Sequence, residues 1–375
     1  MDLVLEVCDT IFFDKVYAQL FPKTQEWPMA LIKTLGLSPS PILAQQSSKL
    51  LNGTTLFNTI KSSAGGVSLN QIMQASTQHV YGEEPFLMSP SNYAIGSLFD
   101  RTNPLRQLIS LTIIVSVFGF ILYLGTASLS YAFVYDKETM NHPKFLKNQI
   151  RMEIKQALSA IPFMSFLTAV CFVLELHGYS KLYWNLDDYP RWYLWFQFPL
   201  FLMFTDCGVY FIHRWLHNPL VYKTLHKPHH KWIVSTPFAS HAFHPVDGFL
   251  QSLPYHIFPF VFPLQKVSYI LLFMIVNVWT VMIHDGEYLA RDPIINGAAC
   301  HTVHHLYFNY NYGQYTSLWD RIGGSYRKPE DELYDKSLKN QRSTWKEQSR
   351  KMEAIVKVVE QGDDRVYLHS DKKDK

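Results

Sequence analysis

The chain has 375 residues, 48% of them hydrophobic and 17% charged, with a formal net charge of +3. The charged share lies below the roughly 25% of an average soluble domain, and the apolar share is too high for a disordered chain. Four cysteines with no C-x-x-C pair exclude a disulfide scaffold, and so small a net charge predicts no nucleic-acid partner.

Residues 1–100 are mixed in character and carry no long apolar run, so they are expected to form an N-terminal lumenal or interfacial region. The acidic start Met1-Asp2 has no basic stretch before an apolar core, so no signal peptide is expected. Asn52-Gly53-Thr54 is a glycosylation sequon. The run 107–134 is free of charge over 28 residues, and a bilayer core needs about 20 residues of helix. A basic loop, 136–156, follows with Lys137, Lys144, Lys147, Arg151 and Lys155. Further spans are predicted at 157–176 and 192–212. The apolar region 249–283 is interrupted by Pro254, Pro259 and Pro263, which predicts a tight helical hairpin that dips into the bilayer and returns. Residues 340–360 read as a surface helix, with Trp345, Met352, Ile355 and Val359 at roughly helical spacing.

The expected fold is all-α: a polytopic membrane helical bundle with a cytosolic, histidine-rich di-metal domain. Three regions are expected: 1–100, a membrane and catalytic region at 101–330, and a cytosolic helix and tail at 331–375. Basic loops favour the cytosolic side, which places 136–156 there and 177–191 opposite. Arg214, Lys223, Lys227 and Lys231 agree, and a returning hairpin puts everything from His284 onward in the cytosol as well. The terminal Lys372-Lys373-Asp374-Lys375 fits the di-lysine retrieval pattern of endoplasmic-reticulum membrane proteins, though a lysine-rich tail is also an ordinary solvated end.

Twelve of the sixteen histidines fall between His213 and His305. His213 and His217 form H-x-x-x-H; His226, His229 and His230 form H-x-x-H-H; His301, His304 and His305 repeat it. Residues three and four apart share a helix face, so each group aims its imidazoles at one locus. One such pair is commonplace, but three groups on one membrane face predict metal binding. Imidazole suits zinc, copper, iron and nickel. A structural zinc site needs four ligands, usually with cysteine. Eight box histidines, before adding His241, His244 and His284, suffice for two metals. An iron pair reacts with dioxygen, whereas zinc has no redox chemistry. Asp206, Tyr210, His213 and His217 form one helical stripe. A carboxylate within a span is a functional candidate by default, and Asp206 is expected to orient a ligand imidazole or else to be held by Thr205 or backbone. Asp285, Glu287 and Asp320 are weaker candidates, and His256 is read as lining a cavity or bonding a broken-helix carbonyl.

The boxes HRWLH, HKPHH and HTVHH resemble those of the membrane di-iron superfamily of sterol desaturases and fatty acid hydroxylases. The strings TDCGVYFIHRWLH, LHKPHHKWIVSTPFASHAFHPVDG, VMIHDGEY and HTVHHLYFNYNYGQYTSLWDRIGGSY narrow the resemblance to fungal sterol C-5 desaturases, over roughly 100–330. The resemblance implies an endoplasmic-reticulum enzyme of ergosterol synthesis. It would remove two hydrogens from C-5 and C-6 of a delta-7 sterol such as episterol, using two iron ions and dioxygen. Electrons would come from NAD(P)H through cytochrome b5 or its reductase. It also implies His213, His217, His226, His229, His230, His301, His304 and His305 as ligands, His284 as a further one, and His241 and His244 as candidates.

The chain has no G-x-G-x-x-G, Walker or iron–sulfur pattern, so the electron donor is expected to be a separate protein. Lys223, Lys227 and Lys231 could steer an acidic donor, or serve only as positive-inside residues. A hydroxylase of acyl chains or sterol methyl groups is the alternative on the same scaffold. A membrane metal transporter is the non-enzymatic alternative, disfavoured because transporters place ligands near the bilayer midplane. No H-E-x-x-H is present for a zinc protease.

Overall fold

The computed structural model describes residues 1–23, 88–288, 294–360 and 362–369. The Asn52 sequon, His79 and the terminal lysines lie outside the described residues. Helix is the dominant structure of the described residues, as expected, with one two-stranded sheet.

The apolar runs become the long helices. Helices α1 (Asp2–Cys8) and α2 (Asp14–Leu20) are joined by a π-turn. Helix α3 (Pro104–Phe133) starts with proline at its first position, behind Asn103, whose Oδ1 accepts the N–H of Leu105 at 3.0 Å. Then come α4 (Gln149–Leu176), α5 (Arg191–Leu216), α6 (Pro245–Val261) and α7 (Lys266–His284). Helices α3, α4, α5 and α7 are each long and apolar enough to cross a membrane. The shortest, at 19 residues, is about 28 Å long, close to the thickness of a hydrocarbon core. Helix α4 begins at Gln149, eight residues ahead of the predicted boundary at 157. Arg151 and Lys155, assigned to a loop from their charge, sit on its first turns and extend the helix beyond the apolar stretch.

Helices α6 and α7 form the expected hairpin. Its tip carries β2 (Leu264–Gln265), which pairs in parallel with β1 (Leu182–Tyr183) in the link between α4 and α5. Lys181 donates its N–H to the Pro259 carbonyl at 2.6 Å, and the Tyr193 hydroxyl donates to Pro263 at 2.9 Å. The tip therefore meets the link on the side away from the histidines, and both helices run the full height of the bundle. Pro254 and Pro259 lie inside α6 without ending it. Pro254 packs on Gly208 of α5, where an added Cβ would come within 2.6 Å of the proline ring. That contact needs a residue without a side chain and brings the two backbones close.

Helix α8 (Ala298–Tyr307), the one-turn α9 (Leu318–Ile322) and α10 (Arg342–Val359) complete the architecture. Tyr222, Ile233, Val303, Leu306, Tyr307, Phe308, Leu333, Met352 and Val356 form a shared core. The predicted 340–360 helix is thus packed on the histidine-bearing region through Met352 and Val356. Ile355 and Val359 are only partly buried at its flank.

Packing divides the described residues into two units, Met1–Ile114 with Ala169–Tyr179, and Val115–Thr168 with Ser180–Lys375. In the first, Arg106 bridges Asp9 at 3.0 Å and Asp14 at 2.7 Å, and Arg101 meets Asp14 at 2.6 Å. All four side chains are buried. The second unit contains every box histidine.

Candidate metal centre

The three boxes arrive on four elements. His213 is in the last turn of α5 and His217 caps that helix. His226 ends a π-turn, Tyr222–His226, and His229 and His230 follow on a one-turn helix, Lys227–His230. His284 ends α7, and His301, His304 and His305 share a face of α8. All nine are brought together, in two groups. His213, His217, His226, His230 and His304 form the first; His229, His284, His301 and His305 form the second. Within each group the candidate ligand atoms lie within 4.8 Å of one another. The nine histidines predicted from the boxes and from His284 are the nine that cluster.

The hydrogen bonds on the outer nitrogens fix the inner ones. His213 donates Nδ1–H to the Tyr312 carbonyl at 3.0 Å, and His284 donates to Thr280 at 2.7 Å. His304 donates to Tyr310 at 2.7 Å, and His226 to the Asp247 carboxylate at 2.8 Å. A carbonyl or carboxylate accepts only, so each of these rings carries its proton on Nδ1 and turns a bare Nε2 inward. In the neutral form that ligates a metal, His213 and His226 face each other Nε2 to Nε2 at 3.1 Å. The Nε2 atoms of His284 and His301 are 2.9 Å apart, and those of His217 and His230 are 3.2 Å apart. His304 Nε2 is buried with no hydrogen-bond partner among the described residues. Opposed lone pairs repel, and a buried acceptor without a donor is costly. A cation in each group satisfies both, so the donor set fits two metal ions held by imidazole nitrogen.

Electrostatics point the same way. Burial first, and the neighbouring imidazoles second, hold His217, His229, His230, His301, His304 and His305 well below the ordinary imidazole range. Metal ligation needs neutral imidazole, and these rings are neutral near pH 7.

Other expected site residues lie elsewhere. Asp206, expected either to orient a ligand ring or to be held by Thr205 or backbone, is held by backbone: it accepts the N–H groups of Gln314, Tyr315 and Thr316 at 2.8–3.2 Å and the Thr316 hydroxyl at 2.6 Å. It therefore acts on His213 one step removed, through the loop that carries the Tyr312 carbonyl. Asp320 holds the same loop, accepting from Tyr312 and Gly313 at 2.8 Å each. The Tyr210 hydroxyl accepts from Arg214 at 2.6 Å and lies 3.3 Å from the Ser325 hydroxyl. His241 lies between the Ser240 hydroxyl and the Asn277 amide oxygen, 3.1 Å from each. His244 caps α6, its Nδ1 accepting from Val246 at 3.3 Å. Neither belongs to a cluster. Asp285 turns to the backbone of Glu287 at 2.8 Å. His256 contacts the Thr168 hydroxyl at 3.2 Å.

Comparison with known proteins decides the family. A family described as Fatty acid hydroxylase matches residues 198–325, which include all nine cluster histidines. A Delta(7)-sterol 5(6)-desaturase of Eremothecium gossypii is 54% identical over 98% of this chain and 99% of its own. The corresponding desaturase of Saccharomyces cerevisiae is 52% identical over 98% and 97%, and that of Candida albicans 51% over 98% and 100%. The chain belongs to the Delta(7)-sterol 5(6)-desaturase family. No solved structure matches it.

For this member of the desaturase family, two supporting residues had escaped the sequence reading. Asp247, fully buried, lies in the string HAFHPVDG but 21 positions from the ring it orients. Gln251 steadies its other oxygen at 2.8 Å. Arg365 lies beyond α10, in a segment read as a tail. Its guanidinium is 1% exposed, pairs with Glu360 at 2.8 Å, and donates to the His230 carbonyl at 3.0 Å. Glu360 also accepts from the Tyr222 hydroxyl at 3.0 Å, and the segment is tied down by the bonds Lys147 N–H to Val366 and Leu368 N–H to Phe145. The C-terminal strap thus braces the second box from outside. Phe308, in left-handed backbone at φ 63°, reverses the chain after the third box and brings the Tyr310 carbonyl to His304. For a non-glycine residue that conformation costs about 1–3 kcal/mol.

Two variants test this support. Asp247→Asn removes the carboxylate that fixes His226, and metal affinity measured by chelator competition is expected to fall about 10–100-fold; unchanged affinity contradicts the role. Arg365→Ala removes the guanidinium from buried Glu360, leaving it the longer Lys227 pair at 3.4 Å and the Tyr222 hydroxyl, and is expected to lower metal retention on purification, with Arg365→Lys restoring only part of it. Full retention in Arg365→Ala contradicts the brace.

Proposed function

We propose that the chain introduces the C5–C6 double bond into a delta-7 sterol of the episterol type, in ergosterol biosynthesis. The reading is supported by two buried all-imidazole clusters in a chain about 50% identical, over nearly its whole length, to proteins named for that reaction. The metals that fit the reading are two iron ions. Iron held there supplies the redox reaction with dioxygen that breaking unactivated C–H bonds requires.

The protein's own residues perform the rest. Asp247 and the carbonyls of Tyr312, Thr280 and Tyr310 keep four imidazoles in the ligating tautomer. Burial excludes bulk water from these rings. A sterol is almost wholly hydrocarbon and partitions into the bilayer, against which the exposed Phe118, Ile121, Phe163 and Phe166 stand. Desaturation takes two hydrogens from the substrate. Reducing dioxygen to two waters then calls for two further electrons and two protons. The chain carries no nucleotide or haem motif, so the electrons come from a separate carrier, cytochrome b5 or its reductase, fed by NAD(P)H. We place the histidine face in the cytosol, because the basic 136–156 segment lies on that side, and the protein in the endoplasmic reticulum.

The alternative, a hydroxylase on the same scaffold, draws on the family description of the 198–325 match. The product distinguishes them. Expressed in a host lacking its own sterol C-5 desaturase, the protein is expected to restore 5,7-diene sterols in the extracted profile. His229→Ala is expected to abolish the diene while the protein stays in the membrane fraction. Hydroxylated sterol as the end product, or diene made by His229→Ala, contradicts the reading.

A further inference from the structure

The segment after the third box does not stay on the histidine side. Asp206 lies seven residues before His213 on α5, about 10 Å deeper along the helix. Gln314, Tyr315 and Thr316 are bonded to it through their backbone N–H groups. Trp279, five residues before His284 on α7, donates its indole N–H to the Gln314 carbonyl at 2.8 Å. The Tyr315 hydroxyl reaches Tyr255 on α6 at 3.2 Å. Residues 314–316 are therefore lodged among three bundle helices, below both clusters.

Irregular backbone at that depth has no water to bond and must be satisfied by protein. Here it is. Asp206 takes the three N–H groups, Trp279 supplies the Gln314 carbonyl, and Asn296 N–H supplies the Tyr315 carbonyl at 2.8 Å. The Asn296 amide bonds the Gly313 carbonyl, and Ser317 N–H bonds Ile294 at 2.7 Å. A carboxylate within a span, costly on its own, thereby serves as the anchor of a loop at membrane depth.

The outer face of this loop is apolar. Ile295 forms a bridge with Thr316, beside the bond from Ser317 to Ile294. Ile322 is 70% exposed, Ile294 63%, Ile295 40% and Leu318 38%. Leu318 and Ile322 stand four apart on α9 and share a face. The end of α9 docks on α5, where the Gly323 carbonyl accepts from Arg214 at 2.9 Å and a Cβ at Gly323 would fall 1.8 Å from the Tyr210 hydroxyl.

We propose that residues 294–295 and 313–323 form a re-entrant membrane element whose Ile294, Ile295, Leu318 and Ile322 lie against lipid acyl chains. The depth set by Asp206 and Trp279, and continuity with the lipid-facing helices, argue for lipid as the occupant rather than water or another protein. Arg321, exposed beside Ile322, does not leave its charge bare: its guanidinium lies over the Tyr326 ring at 3.9 Å and its Nε–H donates to the Ser317 hydroxyl at 3.0 Å. Hydropathy cannot find such an element, because the string NYGQYTSLWDRIGG is too short and too polar to score as a span. The inference depends on α5 and α7 spanning the bilayer, not on which compartment the histidines face.

The test is depth measurement on the full chain in phospholipid vesicles. Nitroxide labels are placed by Ile295→Cys, Leu318→Cys and Ile322→Cys in a chain with its four native cysteines replaced, each variant first checked for metal retention. Ile121→Cys on α3 is the lipid reference and Val358→Cys on α10 the aqueous one; both native side chains are well exposed. The expected result is frequent collision with dissolved oxygen and little with a water-soluble nickel chelate, as at 121, with the ratio severalfold above that at 358. Frequent nickel collision at these positions overturns the proposal. Infrequent collision with both reagents overturns it too, since that marks a protein-covered surface. Impermeant maleimide gives a second reading: reaction severalfold slower than at 358 is expected, and equal rates overturn the proposal.

Discussion

The structure depends on inward-turned imidazole lone pairs. Four of the nine cluster rings are held in one tautomer by an oxygen acceptor behind them, and in the His213–His226 pair two bare nitrogens oppose each other at 3.1 Å. Such an arrangement is unfavourable without a cation and favourable with one. It requires burial, which keeps the rings neutral, and it requires supporting elements that do not relax away. The other features of the second unit can be read as meeting those two requirements.

Topology supplies the convergence. Helices α5 and α7 end on the same face, so His213, His217 and His284 arrive there directly. The second box lies in the connection between α5 and α6, and the third on α8 just after α7. Supports then come from three directions: Asp247 from the first turn of α6, the loop 312–316 clamped by Asp206 and Asp320, and the C-terminal strap through Arg365. Each fixes a cluster histidine by a hydrogen bond to its ring or to its backbone, so that the geometry does not rest on the histidines alone.

The histidine clusters were legible in the sequence because helical spacing is local. His301, His304 and His305 need only a helix to share a face, and they have one. The four long apolar runs were legible because the bilayer imposes a length and a composition. What stayed hidden depends on contacts between distant positions. Nothing near Asp247 marks it as the partner of a ring 21 residues earlier, and Arg365 reads as one more charge in a charged tail. His241 and His244 look like ligands by residue type, yet one ring lies between Ser240 and Asn277 and the other caps a helix. The hairpin was legible, but its prolines suggested a broken first half. Pro254 is accommodated at the bare backbone of Gly208, and the helix continues through Pro259 to Val261. Asp206 stood out in the sequence as a carboxylate within a span. Its partner, a loop 108 residues away, lay beyond any spacing argument.

The most direct test of the central claim is X-ray absorption at the iron edge on the purified full-length protein, with the metal content of the same sample. Two irons per chain, each surrounded by imidazole nitrogen, are expected from the two clusters. One metal per chain, or iron bound mainly by carboxylate or thiolate, would contradict the account.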